Sequence, residues 1–124
     1  MKDIKVLAVD DDIINLKLLK SMLLKLPDVS EVVEAKNGAD ALDILKTQND
    51  INLILLDIIM PVMGGIEMLQ IVRADDILKN IPVIVLTTDE TKKTEALECG
   101  ANDFVMKPVR EKNVAEKISR LVNI

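Results

Sequence analysis

The sequence contains no histidine, tryptophan or tyrosine, and it has a single phenylalanine, Phe104, and a single cysteine, Cys99. One cysteine cannot form an internal disulfide, and without histidine the chain offers no Cys/His zinc site. We expect Cys99 to be a small buried thiol in a reducing cytoplasm. No apolar run reaches the roughly 18 residues that cross a bilayer, and the first run is too short for a signal peptide. A cytoplasmic protein with no membrane contact is therefore expected.

Positive charge is also scarce, with 16 Lys and Arg against 21 Asp and Glu and a formal net charge of −5. This sign disfavours direct binding to nucleic acid phosphates or to anionic lipid. Of the 124 residues, 49% are hydrophobic and 30% are charged. These values predict one globular domain over residues 1–124, with an aliphatic core.

Short apolar runs alternate with helical patterns along the chain. The predicted strands are 4–9, 31–35, 52–56, 82–87 and 103–106, and the predicted helices are 13–26, 38–47, 65–73, 91–98 and 111–122. Strict alternation of strands and helices predicts right-handed crossovers and a parallel sheet covered on both faces. The expected fold is α/β, a doubly wound (βα)5 three-layer sandwich with a five-stranded parallel sheet.

Four of the five predicted strand ends carry polar residues: Asp10–Asp12, Asp57, Thr87–Thr88 and Lys107. In doubly wound folds, ligands bind outside the carboxyl ends of the strands. We therefore expect the site at this edge of the sheet. The second strand has no such residue at its end and is expected at an edge of the sheet, away from the site.

Three acids would converge if the first and third strands were neighbours: Asp10, Asp11 and Asp57. Two carboxylates ~4 Å apart repel by about 4 kcal/mol at an effective dielectric constant near 20. The cluster therefore requires a cation among the acids or a proton on one of them. Oxygen-only ligands favour a hard cation, Mg²⁺ first. Asp12 is predicted instead to cap the first helix.

Thr87 and Lys107 add a hydroxyl donor and a cation at the same edge. Together with Mg²⁺, these groups form a clamp for phosphoryl oxygens, whose transfer is catalysed mainly by positioning and charge stabilisation. An Asp carboxylate can itself be the nucleophile and form an aspartyl phosphate. Asp57 is the best candidate because it is the only acid of its loop.

These residues lie in four motifs: VLAVDDD (6–12), LLDIIMPVMGG (55–65), VIVLTT (83–88) and GANDFVMKP (100–108). By their combination, order and spacing, the chain resembles the receiver domain of two-component response regulators over essentially its whole length. The resemblance implies a CheY-like fold with strand order 2-1-3-4-5. It also implies a signalling domain rather than an enzyme, with self-phosphorylation from small donors and autodephosphorylation.

The resemblance also implies residue roles. Asp57 looks like the phospho-acceptor, and Asp10 and Asp11 look like the acidic pair that binds Mg²⁺ with Asp57. The backbone carbonyl of Ile59 would be a further ligand.

Three more positions match the family at the carboxyl ends of the last two strands. Thr87 looks like the switch hydroxyl that turns toward the phosphoryl group, and Phe104 falls at the position of the switch aromatic. Lys107 looks like the phosphoryl-binding lysine, joined to Pro108 by a peptide that is commonly cis in this family.

The implied partners are proteins. A sensor histidine kinase or a histidine phosphotransfer protein would supply the phosphoryl group, which explains why the chain needs no histidine of its own. A downstream protein would bind the face made by the fourth helix, the fifth strand and the fifth helix. The expected state is a monomer or a phosphorylation-dependent dimer.

The chain departs from the family pattern at three positions. Gly64 stands where Asp or Asn is usual and should cap the third helix more weakly. Thr88 replaces a usual Ala and would crowd the path to the phosphoryl group. Ile59 is apolar at a position where polar groups can orient water. From Thr88 and Ile59 together we expect slow hydrolysis of the phosphoryl group.

Other functions stay open at this stage. The domain could be the receiver part of a longer regulator with a DNA-binding or enzymatic output. Asp10 and Asp12 have the D-x-D spacing of a haloacid-dehalogenase-type phosphohydrolase, but Ile14 stands where that class has Thr, and Asp57 would have no role. Flavin binding is disfavoured because three acids would repel the flavin phosphate.

Overall fold

The computed structural model describes residues 3–60 and 62–122, which form five parallel strands and five helices in strict alternation. The strands pair in the order β2-β1-β3-β4-β5, which confirms the expected fold and strand order. The elements are β1 (Ile4–Val9), α1 (Ile13–Leu24), β2 (Val29–Ala35), α2 (Gly38–Thr47), β3 (Leu53–Asp57), α3 (Gly65–Ala74), β4 (Val83–Thr87), α4 (Thr91–Glu98), β5 (Asp103–Met106) and α5 (Glu111–Val122).

The connection between α1 and β2 differs from its prediction. Helix α1 ends at Leu24 rather than at residue 26, because Lys25 and Leu26 donate to carbonyls of the last turn and close the helix before Pro27. Strand β2 then begins at Val29, two residues earlier than predicted, since the Ile4 amide bonds the carbonyl of Asp28 and so starts the pairing with β1.

The core has two halves, one on each face of the sheet. On one face, Leu7, Leu56 and Val85 pack with apolar side chains of α2, α3 and α4; we call this the α2–α4 face. On the other, the α1/α5 face, Ala8 and Leu55 pack with side chains of α1 and α5. Strands β3 and β4 are buried along their whole length, as expected for central strands of a covered parallel sheet.

The strand register places the polar residues at the carboxyl ends of β1, β3, β4 and β5 next to one another. Val9 pairs with Leu56 and Asp57 pairs with Leu86, so the residues after β1 and the end of β3 are neighbours. Thr87 pairs with Met106, which places Lys107 one residue beyond the end of β4. Strand β2 lies at an edge of the sheet, as expected, and contributes no polar residue to this group.

Arg73, near the end of α3, joins this helix to the loops that precede β4 and β5, at the amino ends of these strands. Its guanidinium donates to the carbonyls of Gly100 and Ile81 at 2.8 Å, and to Oδ1 of Asn102 at 2.8 Å. Gly100 has a φ of 109°, a conformation that favours glycine, and a Cβ there would lie 2.8 Å from Cγ of Arg73. Both the backbone conformation and the close contact therefore favour glycine at this position.

The structure bears on two expectations from composition, the burial of Cys99 and the lack of a membrane-spanning helix. Cys99 is only partly buried, and its thiol accepts a hydrogen bond from Gln70 at 3.6 Å, so the expectation of a buried thiol is wrong. Among the residues that the structure describes, no helix has the length and apolar character needed to cross a membrane.

Candidate functional site

The acid cluster forms as the strand order implies. Asp10, Asp11 and Asp57 each present one carboxylate oxygen, and these three oxygens lie within 4.8 Å of one another. Asp10 and Asp57 are buried, with 2% and 7% of their surface exposed, whereas Asp11 is exposed. The three acids therefore form a cup that is closed toward the core and open toward solvent.

Lys107 supplies the cation of the cluster. Its ammonium nitrogen lies 3.1 Å from Oδ2 of Asp10 and 3.3 Å from Oδ1 of Asp57. The other oxygen of Asp10 accepts a hydrogen bond from the backbone N–H of Asp12 at 2.9 Å. Both oxygens of the most buried acid are therefore satisfied by groups of the chain itself. The peptide between Lys107 and Pro108 is cis, as the resemblance implies.

The surroundings shift the pKa values of two groups in the cluster. Burial raises the pKa of Asp57 above its ordinary value of 3.8, and the charge of Asp10 raises it further, against the opposing effect of Lys107. Burial alone would lower the pKa of Lys107. The hydrogen bond to Asp10 and the charges of Asp57 and Asp10 outweigh that effect and raise it. The ammonium is thus firmly held, while Asp57 gives up its proton less readily than an exposed acid.

Asp12 has the separate role that its position predicts. Its Oδ1 accepts from the backbone N–H groups of Ile14 at 2.9 Å and Asn15 at 3.4 Å, so it caps α1. A phosphohydrolase of D-x-D type would need this carboxylate beside Asp10 at the reacting phosphate. Its engagement with the helix removes the support that the spacing gave to that alternative.

Thr87 is buried at the end of β4, but its hydroxyl is turned away from the acids. Asp10, Asp57 and Lys107 each lie two positions after a residue of the α1/α5 face, whereas Thr87 lies two positions after Val85 of the α2–α4 face. The hydroxyl accepts from the Asp89 N–H at 2.9 Å and donates to the Asp89 carbonyl at 3.3 Å. In this conformation the Thr87 hydroxyl is bonded to the loop between β4 and α4.

Phe104 lies on β5 and is half-buried between α4 and α5. The ammonium of Lys93 lies 4.1 Å from the centre of its ring, and that of Lys117 lies 5.4 Å away. Lys117 is also paired with Asp103 at 3.0 Å. The single aromatic ring of the protein is therefore flanked by cations on the face predicted to bind partners.

The loop from β3 to α3 passes beside the cup. Ile59 lies two residues after Asp57, and its side chain is 63% exposed; the role of its carbonyl as a ligand stays a prediction. Val62 has a φ of 67°, a left-handed conformation that is unusual for a β-branched residue. Gly64 is the N-cap residue of α3 and provides no side-chain cap, as expected from the missing Asp or Asn.

A groove of about 420 Å³ runs from the cup along α1. Asp10, Thr88 and Lys107 lie at its polar end, and its walls are mostly apolar, with contributions from Leu18 and Val109. Thr88 is exposed there and contributes to this polar end, and the expectation that it crowds the path to the phosphoryl group stays a prediction.

Two residues with direct bearing on the site were not predicted. Asp89 ties the Thr87 hydroxyl to α4 through its backbone, and its carboxylate accepts the N–H of Thr91 at 2.9 Å. The spacing Thr87, Asp89, Thr91 is a capping pattern that the sequence could have revealed. The stacking of Lys93 on Phe104 has no local sequence signal, because it joins two different elements.

The fold and the cup define a doubly wound α/β domain with an acidic site and one lysine at the carboxyl edge of its sheet. The family model of the response regulator receiver domain matches residues 6–119. The chain therefore belongs to the response regulator receiver domain family, the family that its motifs resemble.

Individual relatives agree with this assignment. A chemotaxis protein CheY homolog of Campylobacter jejuni is 33% identical over 116 residues, which cover 92% of this chain and 88% of that protein. A protein-glutamate methylesterase/protein-glutamine glutaminase of Desulfotalea psychrophila is 39% identical over 125 residues and 99% of this chain. The chain spans only 34% of the length of that relative.

Solved structures resemble the whole chain. A putative response regulator from Chloroflexus aurantiacus superposes with a TM-score of 0.91 at 26% identity, covering 99% of this chain and 100% of that one. The chemotaxis protein CheY4 of Vibrio cholerae superposes with a TM-score of 0.86 at 31% identity, covering 96% and 98%.

Proposed function

We propose that this receiver domain is a phosphorylation-operated switch in which Asp57 accepts a phosphoryl group from a histidine of a sensor kinase or a phosphotransfer protein. The observation that carries the proposal is the meeting of Asp10, Asp11 and Asp57 within 4.8 Å, with the Lys107 ammonium 3.3 Å from Asp57. Membership of the receiver family supports the same assignment.

The cup fits Mg²⁺ by its donor chemistry, because every candidate ligand is an oxygen and there is no competing thiolate or imidazole. Asp10, Asp11 and Asp57 would hold the ion, with the Ile59 carbonyl as a further ligand. When bound, Mg²⁺ supplies positive charge beside the transferring phosphoryl oxygens.

The residues of the chain perform the rest of the reaction. A carboxylate oxygen of Asp57 attacks phosphorus, a P–O bond forms and the P–N bond of the donor histidine breaks. The electron pair of the broken bond returns to that nitrogen, and the imidazole leaves neutral because its other ring nitrogen already carries a proton. Lys107, whose ammonium lies 3.3 Å from Oδ1 of Asp57, would contact an oxygen of the group now on Asp57. Thr87 would leave the Asp89 backbone and turn its hydroxyl toward that group.

The test is the intact mass of the protein after incubation with acetyl phosphate, with and without Mg²⁺. We expect one added phosphoryl group in wild type, only with Mg²⁺, and none in Asp57→Asn. Asp43→Asn on the exposed side of α2 is the matched control and should behave as wild type. An adduct that persists in Asp57→Asn would contradict the proposal, as would a wild type that neither gains mass nor binds beryllofluoride.

The output is proposed to pass through the face of α4, β5 and α5, where Phe104 lies among lysines. A downstream protein would recognise this face after phosphorylation. Sedimentation of the protein with and without beryllofluoride distinguishes a monomer from a phosphorylation-dependent dimer. If substitutions on this face did not affect partner binding, the partner would bind a different surface of the domain.

A second form of this function is a receiver joined to an output domain in a longer regulator. The observation in its favour is the methylesterase relative, of which the matched region is only 34%. Detection of the native protein in its source cells, with an antibody against this domain, decides between the two forms by apparent mass.

A further inference from the structure

We propose that Lys93 is a positioning residue that acts as a latch: its ammonium holds the Phe104 ring in the present position and thereby opposes the phosphorylated conformation. This inference rests on the proposed function, in which the Thr87 hydroxyl turns toward the phosphoryl group after phosphorylation of Asp57. It goes further by assigning a specific residue that sets how easily the switch operates.

The first support is the geometry of the contact. The Lys93 ammonium lies 4.1 Å from the ring centre, well inside the roughly 6 Å within which a cation is attracted to the face of an aromatic ring. Lys117 is farther, at 5.4 Å, and is committed to Asp103 at 3.0 Å. Within residues 3–60 and 62–122, Lys93 forms no ion pair with a carboxylate. The ring is therefore the main partner of its charge.

The second support is the connection between this contact and Thr87. Phe104 pairs with Val85, which lies two residues before Thr87 on β4. The side chains of Phe104 and Thr87 therefore lie on the same face of the sheet. Asp89 bonds the Thr87 hydroxyl through its backbone and caps the start of α4 through its carboxylate. The Lys93 amide belongs to the same first turn, bonding the Glu90 carbonyl at 3.1 Å.

These contacts connect the turn of the Thr87 hydroxyl to the contact between Lys93 and Phe104. When the Thr87 hydroxyl turns toward the phosphoryl group, it gives up both of its bonds to Asp89. The first turn of α4 then loses the hydrogen bonds that join Asp89 to Thr87 at the end of β4, and Lys93 moves with that turn. Displacing Lys93 from Phe104 removes the cation–π attraction, so the contact favours the unphosphorylated conformation.

The experiment measures the affinity for beryllofluoride in Mg²⁺, since this group mimics a phosphoryl group on Asp57. Fluorine NMR reports the bound probe. Because Phe104 is the only aromatic residue in a chain without histidine, its ring protons are the only carbon-bound aromatic protons in the proton spectrum. They report the position of the ring without labelling.

We expect Lys93→Ala to bind beryllofluoride about two- to fivefold more tightly than wild type, because a conformation that competes with binding is weakened. Lys93→Arg keeps the cation and should behave as wild type. Lys92→Ala, one residue earlier on α4, removes a lysine that does not stack on the ring and is the matched control. In a Phe104→Leu background, Lys93→Ala should have no further effect.

A purely structural role for Lys93 would change the unfolding midpoint without changing the affinity for the probe. Unchanged or weaker affinity in Lys93→Ala, or equal changes in Lys92→Ala, overturns the latch. Persistence of the Lys93→Ala effect in the Phe104→Leu background also overturns it. If wild type itself binds no beryllofluoride, the proposed function fails and the latch fails with it; binding by wild type with no effect of Lys93→Ala refutes the latch alone.

Discussion

Gly65, the first residue of α3, packs directly against the backbone carbonyl of Asp57. A Cβ atom at Gly65 would collide with that carbonyl and would lie 2.8 Å from Cα of Ile58, a distance that real Cβ atoms essentially never show. The start of α3 therefore sets the position of the backbone that carries the candidate phospho-acceptor.

We expect Gly65→Ala to lower the free energy of unfolding by at least about 2 kcal/mol, because only a backbone shift can relieve the collision. Gly64→Asn is the comparison, since Gly64 has a φ of −75° that any residue can adopt. An added cap there should change stability by less than about 0.5 kcal/mol. Urea unfolding measures both, and equal effects of the two substitutions would contradict the close-approach argument.

Lys107→Met should destabilise the protein by about 3 kcal/mol in the absence of divalent cations, because it leaves two buried carboxylates without their shared ammonium. Methionine keeps most of the side-chain volume, so the loss reports charge rather than packing. Lys112→Met on the exposed surface of α5 is the control and should change little. Added Mg²⁺ should restore part of the loss, measured as a rise in the urea midpoint.

Asp57→Asn should stabilise the metal-free protein at neutral pH and not at acid pH. The folded-state pKa of Asp57 is raised, so this group contributes stability below its unfolded pKa near 3.8 and loses it as the pH rises through the folded value. Asparagine does not titrate. The stability difference between variant and wild type should therefore grow from about pH 4 to about pH 7.

Thermal unfolding across that pH range checks the sign. Asp43→Asn removes an exposed carboxylate and serves as the control for the general effect of losing one negative charge. A difference for Asp57→Asn that is constant with pH would show that burial does not disfavour the charged form of Asp57.

Ile59→Asn and Thr88→Ala should each shorten the lifetime of the phosphorylated protein several-fold. Ile59 is an exposed apolar residue two positions after Asp57, and Thr88 lines the polar end of the groove beside Asp10 and Lys107. The measurement is the decay of the phosphorylated mass after removal of the donor. If neither substitution accelerates the decay, the cause of a slow reaction lies in other residues.

The sequence predicts the fold well because the apolar runs are short and strictly alternate with helical patterns. The ends of β1 and β5 and of α2, α4 and α5 agree with their predicted bounds. The start of β2 does not, because Val29 and Ser30 follow a Pro-Asp turn and enter the strand through pairing with β1. Such pairing depends on a distant segment, which local patterns do not contain.

The candidate site was predictable for the same reason, since parallel strands bring their carboxyl ends to one edge. The convergence of Asp10, Asp11 and Asp57 is confirmed by the structure. The direction of the Thr87 hydroxyl was not predictable, because it depends on which face of the sheet Thr87 occupies and on a local bond to Asp89. The contacts of Arg73 could not be predicted from local sequence either, since its acceptors lie up to 29 residues away along the chain.

Lys107 has a further consequence for the empty and loaded cup. With all groups ionised, three carboxylates and one ammonium leave two net negative charges, which one divalent cation neutralises. The lysine is thus an internal counter-ion, which would stabilise the acid cluster in the absence of magnesium and compete with any cation that binds there. On the proposed function, the occupancy of the cup would therefore follow the magnesium concentration around it.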